Sequence, residues 1–144
     1  DISLWRAELK SAQTVQTFER KPPKIIGCEV DQIIANSAME NVKKSGLDNY
    51  IEIINCPFQE LKLPTGKGIL VCNPPYGKRI GDEKQLPILY KELGNFCKKN
   101  ASGWDLWLLN GNPKLTKYLG MKANCRFQVN NGSIDCRWLN YKIK

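Results

Sequence analysis

Short apolar runs alternate with segments of helical periodicity, and this alternation limits the possible folds more than any other feature. Strand-like runs fall at residues 24–31, 50–56, 68–72 and 104–109. Between them, four-residue spacing marks helices. Residues 3–18 carry Trp5, Leu9, Ala12 and Val15 near one face, and Pro22 and Pro23 end that element. Residues 32–45 carry Ile34, Ala38 and Val42, with Asp31 as N-cap and Gly46 as C-terminal cap. Leu86, Leu89, Tyr90, Leu93, Phe96 and Cys97 keep the same period. Asn112-Pro113 opens a last helix that stops at Gly120. Asn131-Gly132 then joins two strand-like stretches as a hairpin. The pattern predicts an α/β domain over residues 1–144, with a mostly parallel sheet, helices on both faces and a C-terminal antiparallel hairpin. The run at 68–72 is continuously apolar, as strands buried on both faces tend to be.

Composition narrows the chemistry. The chain has no histidine, which removes Ser-His-Asp and Cys-His catalysis and most mixed zinc sites. Cys28, Cys56, Cys72, Cys97, Cys125 and Cys136 form no Cys-x-x-Cys pair and mostly lie in apolar runs. They read as small buried hydrophobes in a reduced, cytoplasmic protein rather than as disulfide partners or metal ligands. No apolar run reaches the roughly 18–20 residues of a membrane helix, so no membrane partner is expected. The net charge of +8 is one-sided. Residues 1–72 carry nine basic and nine acidic side chains, and residues 73–144 carry thirteen and five. A basic half points to a polyanion, with nucleic acid foremost. Ordinary surface charge is the alternative.

The sharpest motif is Asn73-Pro74-Pro75-Tyr76, directly after the 68–72 run. Adjacent prolines form a rigid bend without backbone donors, so its carbonyls are left to accept. In open parallel sheets, ligands bind beyond the carboxyl ends of the strands. A nucleobase amine is a poor nucleophile because its lone pair is delocalised into the ring. The Asn73 side-chain oxygen and the Pro74 carbonyl can accept its two N–H groups and aim the nitrogen at an electrophile. Tyr76 offers a face on which an extruded base stacks, a contact worth about 1–3 kcal/mol. This chemistry needs no metal. The competing reading is a turn that merely ends a strand. Earlier in the chain, Glu29 closes a strand at a place suited to ribose hydroxyls, and Gly27 lets the backbone pass close.

Taken together, residues 25–31 (Ile-Ile-Gly-Cys-Glu-Val-Asp), 73–81 (Asn-Pro-Pro-Tyr-Gly-Lys-Arg-Ile-Gly), 103–106 (Gly-Trp-Asp-Leu) and 130–137 (Asn-Asn-Gly-Ser-Ile-Asp-Cys-Arg) resemble the S-adenosylmethionine-dependent methyltransferases of the THUMP-associated group. Within that group the chain is most similar to the bacterial large-subunit ribosomal RNA guanine-N2 methyltransferase domain. The resemblance implies a Rossmann-like class I sheet, S-adenosylmethionine as cofactor and 23S ribosomal RNA as substrate. It places Asn73, Pro74, Pro75 and Tyr76 at the reacting amine. It puts Glu29, Cys56, Phe58 and Asn73 around the cofactor, with Phe58 on the adenine ring. Lys78, Arg79, Asn131 and Gly132 would meet RNA at the rim of the same crevice. The family's first strand and its Gly-rich Asp-Pro-x-Cys-Gly-Ser-Gly loop have no counterpart in this sequence, and Pro57 stands where an acid usually meets the adenine amine. The expectation is a partial domain, inactive alone, completed by the rest of a longer polypeptide that carries the first strand, the loop and a THUMP domain. The same amine motif also serves DNA adenine-N6 methyltransferases, and a non-catalytic RNA-binding remnant is a further alternative.

Overall fold

The structure is a computed structural model that describes residues 1–15, 23–76 and 84–144. It divides into two compact units, Asp1–Cys56 and Pro57–Lys144.

The first unit holds helix α1 (Ile2–Val15), strand β1 (Ile25–Glu29), helix α2 (Gln32–Lys44) and strand β2 (Ile51–Asn55). β1 and β2 pair in parallel, Ile25 opposite Ile51 through Glu29 opposite Asn55. The predicted caps of α2 are present. The Asp31 carboxylate accepts from the Ile33 and Ile34 amides at 2.8 and 3.1 Å. Past the helix end, Gly46 has φ +70°, and its amide donates to the Lys43 carbonyl at 3.0 Å. The buried stripe differs from the expected one. Ala35 is fully buried, with Ala38, Met39 and Val42 half-buried, whereas Ile34 is 56% exposed. The buried residues run along 35/38/39/42, so Ala38 and Val42 of the expected stripe lie on it and Ile34 does not. On α1, the predicted apolar residues Trp5 and Leu9 are exposed.

The second unit starts with one 3-10 turn (Phe58–Glu60), then strand β3 (Ile69–Cys72), helix α3 (Leu86–Asn100) and strand β4 (Asp105–Asn110). A 3-10 helix (Pro113–Leu119) and the strands β5 (Cys125–Asn131) and β6 (Ile134–Lys142) complete it. The sheet order is β3-β4-β6-β5, with β3 parallel to β4 and the hairpin antiparallel. Side chains alternate across a sheet. Leu70, Cys72, Leu106, Leu108, Leu139 and Tyr141 point to one face and form the core with Leu86, Tyr90, Phe96 and Cys97 of α3. Gly94 of α3 is required there, because a Cβ would lie 2.1 Å from the Leu119 carbonyl oxygen.

The opposite face carries Val71, Trp107, Phe127 and Trp138, with Trp107 and Phe127 stacked at 5.9 Å. Val71 and Ile69 are 65% and 64% exposed, so β3 is buried on one face only, contrary to the sequence-based expectation. Its continuous apolar run marks a second face that no described helix of this unit covers. The strands also fall into two sheets rather than one. Among the described residues, β1 pairs only with β2 and β3 only with β4.

Candidate active site

The direction of the strands in the second unit decides what meets at one edge. β3 and β4 run the same way, β6 runs against β4, and β5 against β6. The carboxyl ends of β3, β4 and β5 therefore share an edge, as the placement of the hairpin beside the Asn-Pro-Pro-Tyr bend requires.

Asn73 leaves β3 directly into that edge. Its side chain is exposed, as is Pro75, while Pro74 and Tyr76 are half-buried. Among the described residues nothing donates to the Asn73 side-chain oxygen or to the Pro74 carbonyl.

Tyr76 is held from three sides. Its hydroxyl accepts from Asn131 Nδ2 at 3.1 Å, and the Cys136 thiol lies 3.9 Å from the same oxygen. Its carbonyl accepts from Asn112 Nδ2 at 3.5 Å. Its ring lies over Gly111, where a Cβ would come within 2.9 Å of Cδ2 and Cε2. Asn131 thus reaches the crevice as predicted, but through its side chain on the last pair of the ladder. Asn131 pairs with Ile134, so the two turn residues are Gly132 and Ser133, one place beyond the Asn-Gly turn expected from sequence. Gly132 has φ +62° and Ser133 a negative φ, so Gly occupies the first turn position. That shift keeps Asn131 in the strand and frees its amide to tether Tyr76.

The sequence reading did not single out Gly111 and Cys136, and it took Asn112 only as a helix start. Asn112 does cap the 3-10 helix, accepting from the Lys114 amide at 3.1 Å. Its other end serves Tyr76. The available signal was a glycine immediately after a strand whose carboxyl end shares the motif's edge. Behind these residues, Asn110 is buried at the end of β4. Its Oδ1 accepts from the Tyr90 hydroxyl at 3.2 Å and the Asn112 amide at 2.9 Å, and its Nδ2 donates to the Asn112 carbonyl at 2.9 Å. This buried network fixes the loop that carries Gly111 and Asn112. Burial drives the Tyr90 phenol well above its ordinary range, so Tyr90 stays a neutral donor.

The other predicted positions are distributed as follows. Lys78 and Arg79 lie outside the described residues. In the first unit, Glu29 is half-buried at the end of β1. One of its carboxylate oxygens accepts from the Asp31 amide at 2.9 Å, and no partner of the other is found among the described residues. Asn55 Nδ2 donates to the Glu29 and Val30 carbonyls at 2.9 and 3.1 Å and pins the chain where it leaves the strand. Cys28, beside Glu29, has its thiol pKa raised by burial first, then by Cys56 and Glu29. In the second unit, Phe58 packs edge to face on Phe96, centroids 5.7 Å apart, with its ring half-buried against the core.

Three comparisons bear on this arrangement. A family model described as RMKL-like, methyltransferase domain, matches residues 4–140. The ribosomal RNA large subunit methyltransferase K/L of Syntrophotalea carbinolica is 35% identical over 97% of this chain and 20% of its own length. A crystal structure from Clostridium difficile 630, described as a possible methylase, superposes with a TM-score of 0.80 at 28% identity, over 100% of this chain and 38% of that one. SMU.472, solved in complex with SAH, gives 0.78 at 27% identity, over 83% of this chain and 32% of that one. The chain spans between 19% and 37% of the length of the curated relatives it matches.

Proposed function

The chain belongs to the RMKL-like methyltransferase domain family, and on that premise we propose that it carries the amine-binding half of an S-adenosylmethionine-dependent RNA methyltransferase acting on the N2 amine of a guanine in 23S ribosomal RNA. The observation that carries the reading is the strand-end bend. Asn73 is exposed at the carboxyl edge of the sheet, its side-chain oxygen without a donor among the described residues, beside an aromatic ring tethered at its hydroxyl, ring and carbonyl.

The Asn73 side-chain oxygen and the Pro74 carbonyl accept the two N–H groups of the amine. Pro75 keeps the bend rigid. Tyr76 stacks on the base, and its three restraints lower the entropy lost when the base docks. Glu29 would accept from the cofactor's ribose hydroxyls through the carboxylate oxygen that has no partner among the described residues, and we assign Cys56 and Phe58, each in its own unit, to the adenine. Asn131, Gly132, Lys78 and Arg79 meet the RNA around the target base. The cofactor supplies an electrophilic methyl group. Asn73 and Pro74 would hold the amine nitrogen toward that methyl group, and the nitrogen's surplus proton would pass to solvent.

The bare edges of β1 and β3 support a further part of the reading. Each strand has one neighbour among the described residues. The longer protein would supply a further strand and a Gly-rich loop, and the present chain alone is inactive.

The test is methyl transfer to unmodified ribosomal RNA by the whole protein and by its Asn73→Ala variant. Loss of about 2.7–4 kcal/mol of transition-state stabilisation, on the scale of one oxyanion-type contact, is expected. Equal rates reject the role of Asn73. Mass spectrometry of the product nucleoside separates N2-methylguanosine from N6-methyladenosine, and the latter would overturn the guanine assignment.

A further inference from the structure

The face of the hairpin that continues the core face carries charge instead of apolar side chains. Arg126 on β5 and Arg137 on β6 share that face, two rungs apart in the ladder. Opposite them, Lys117 of the 3-10 helix and Lys122 just beyond it complete the walls of a groove of about 350 Å³, floored by Leu139 and Tyr141. All four cations are exposed. Among the described residues no acidic side chain lines this groove. Among the described residues, ion pairs occur only at Lys24–Glu52 and Lys44–Glu40, both in the first unit. The Lys117 ammonium instead lies 5.0 Å from the Tyr118 ring centroid. Arg126 also helps hold down the pKa of the Tyr141 phenol, which burial raises.

The groove leads somewhere. It shares Asn110, Pro113 and Arg137 with a second hollow of about 380 Å³. That hollow reaches Gly111, which lies under the Tyr76 ring, and Cys136, whose thiol lies 3.9 Å from the Tyr76 hydroxyl, and among the described residues Asp135 is its one acid. Four cations along one channel with no acidic partner among the described residues repel each other and are stabilised by a ligand with several negative charges at regular spacing. Two of them are guanidinium forks, which match phosphate oxygens bidentately. The channel ends beside the ring that receives a base.

We propose that the groove lined by Lys117, Lys122, Arg126 and Arg137 is a phosphate track that holds the RNA strand flanking the target nucleotide. The proposal deepens the RNA methyltransferase reading and rests on it for the choice of RNA over other polyanions. Phosphate contacts fix register without reading sequence. The track therefore positions the strand so that one base reaches Tyr76.

The test uses the whole protein and a fluorescently labelled oligouridine, with affinity measured across a salt series. For a single strand, each phosphate contact contributes about 0.7 to the slope of log affinity against log salt. Arg126→Gln with Arg137→Gln should lower that slope by about 1.4, and so should Lys117→Gln with Lys122→Gln. Affinity at low salt should fall by about tenfold in each. The charge-retaining pair Arg126→Lys with Arg137→Lys should keep most of the slope. Lys91→Gln with Lys99→Gln, on exposed positions of α3, is the control and should change nothing. An unchanged slope in both groove variants overturns the track, and an equal loss in the control reduces it to net charge. Duplex DNA or poly-glutamate competing as well as RNA overturns the RNA assignment. Failure of the underlying reading is distinguishable: the wild type would bind oligouridine with the groove-dependent slope yet transfer no methyl group to ribosomal RNA.

Discussion

Tyr76 joins the predicted motif to the rest of its unit. The motif itself was legible because two prolines after an apolar run leave few alternatives to a rigid strand-end bend. What holds Tyr76 was not legible, because Gly111, Asn112, Asn131 and Cys136 come from β4, the loop after it and the hairpin. Two substitutions separate these restraints. Gly111→Ala puts a methyl group within 2.9 Å of the ring and must displace it. A misplacement of about 1 Å can cost as much as about 100-fold in rate, so initial rates on ribosomal RNA should fall by at least about tenfold. Asn131→Ala removes one tether worth about 1 kcal/mol net. It should raise KM for RNA several-fold with a smaller effect on kcat. If Gly111→Ala transfers methyl at the wild-type rate, the position of the ring is irrelevant to the reaction.

At the scale of elements, local chemistry was the more reliable guide. Asp31 was read as an N-cap from sequence and accepts from two helix amides. Asp31→Ala should lower stability by about 1 kcal/mol, measured by urea unfolding. The helix face is less local. Ile33 and Ile34 satisfy the apolar pattern of α2 and yet are 77% and 56% exposed. A four-residue period names a stripe only to within one position. Where α3 meets the end of the 3-10 helix, Gly94 lets the Leu119 backbone approach closely. Gly94→Ala gains about 1 kcal/mol of helix propensity, but the overlap with the carbonyl costs more, for a net loss of about 2 kcal/mol. An increase in melting temperature would show that the two elements can separate without penalty.

Across the molecule, the cysteines and tyrosines set a limit on alkaline stability. Of the six cysteines, Cys97 and Cys136 are buried. Burial pushes the Cys97 thiol from its ordinary 9.0 up to about 11, with Lys98 opposing weakly. A group whose folded pKa is raised stabilises the native state fully below its unfolded value and loses that contribution as pH rises through the folded one. Stability should therefore decline between pH 9 and about 11, with Tyr90 and Tyr141, also raised by burial, adding to the loss. Thermal unfolding across this range checks it, and Cys97→Ala should flatten part of the slope. Among the described residues no helix is long and apolar enough to cross a membrane. The apolar surface left bare lies on sheet and helix faces, at Val71, Phe127 and Ile69 and at Trp5 and Ile33.

The order of strands and helices, the caps and the strand-end Asn-Pro-Pro-Tyr bend follow from the sequence alone, because each is encoded by neighbours a few residues apart. So does the excess of basic charge in the second half. The division into two sheets, the half-exposed β3 and the close fit of Gly94 needed the tertiary structure. So did the three-sided hold on Tyr76 and the gathering of Lys117, Lys122, Arg126 and Arg137 along one groove. These depend on which strands pair and in what register, and a shift of one residue in the ladder would turn every side chain of the hairpin to the opposite face.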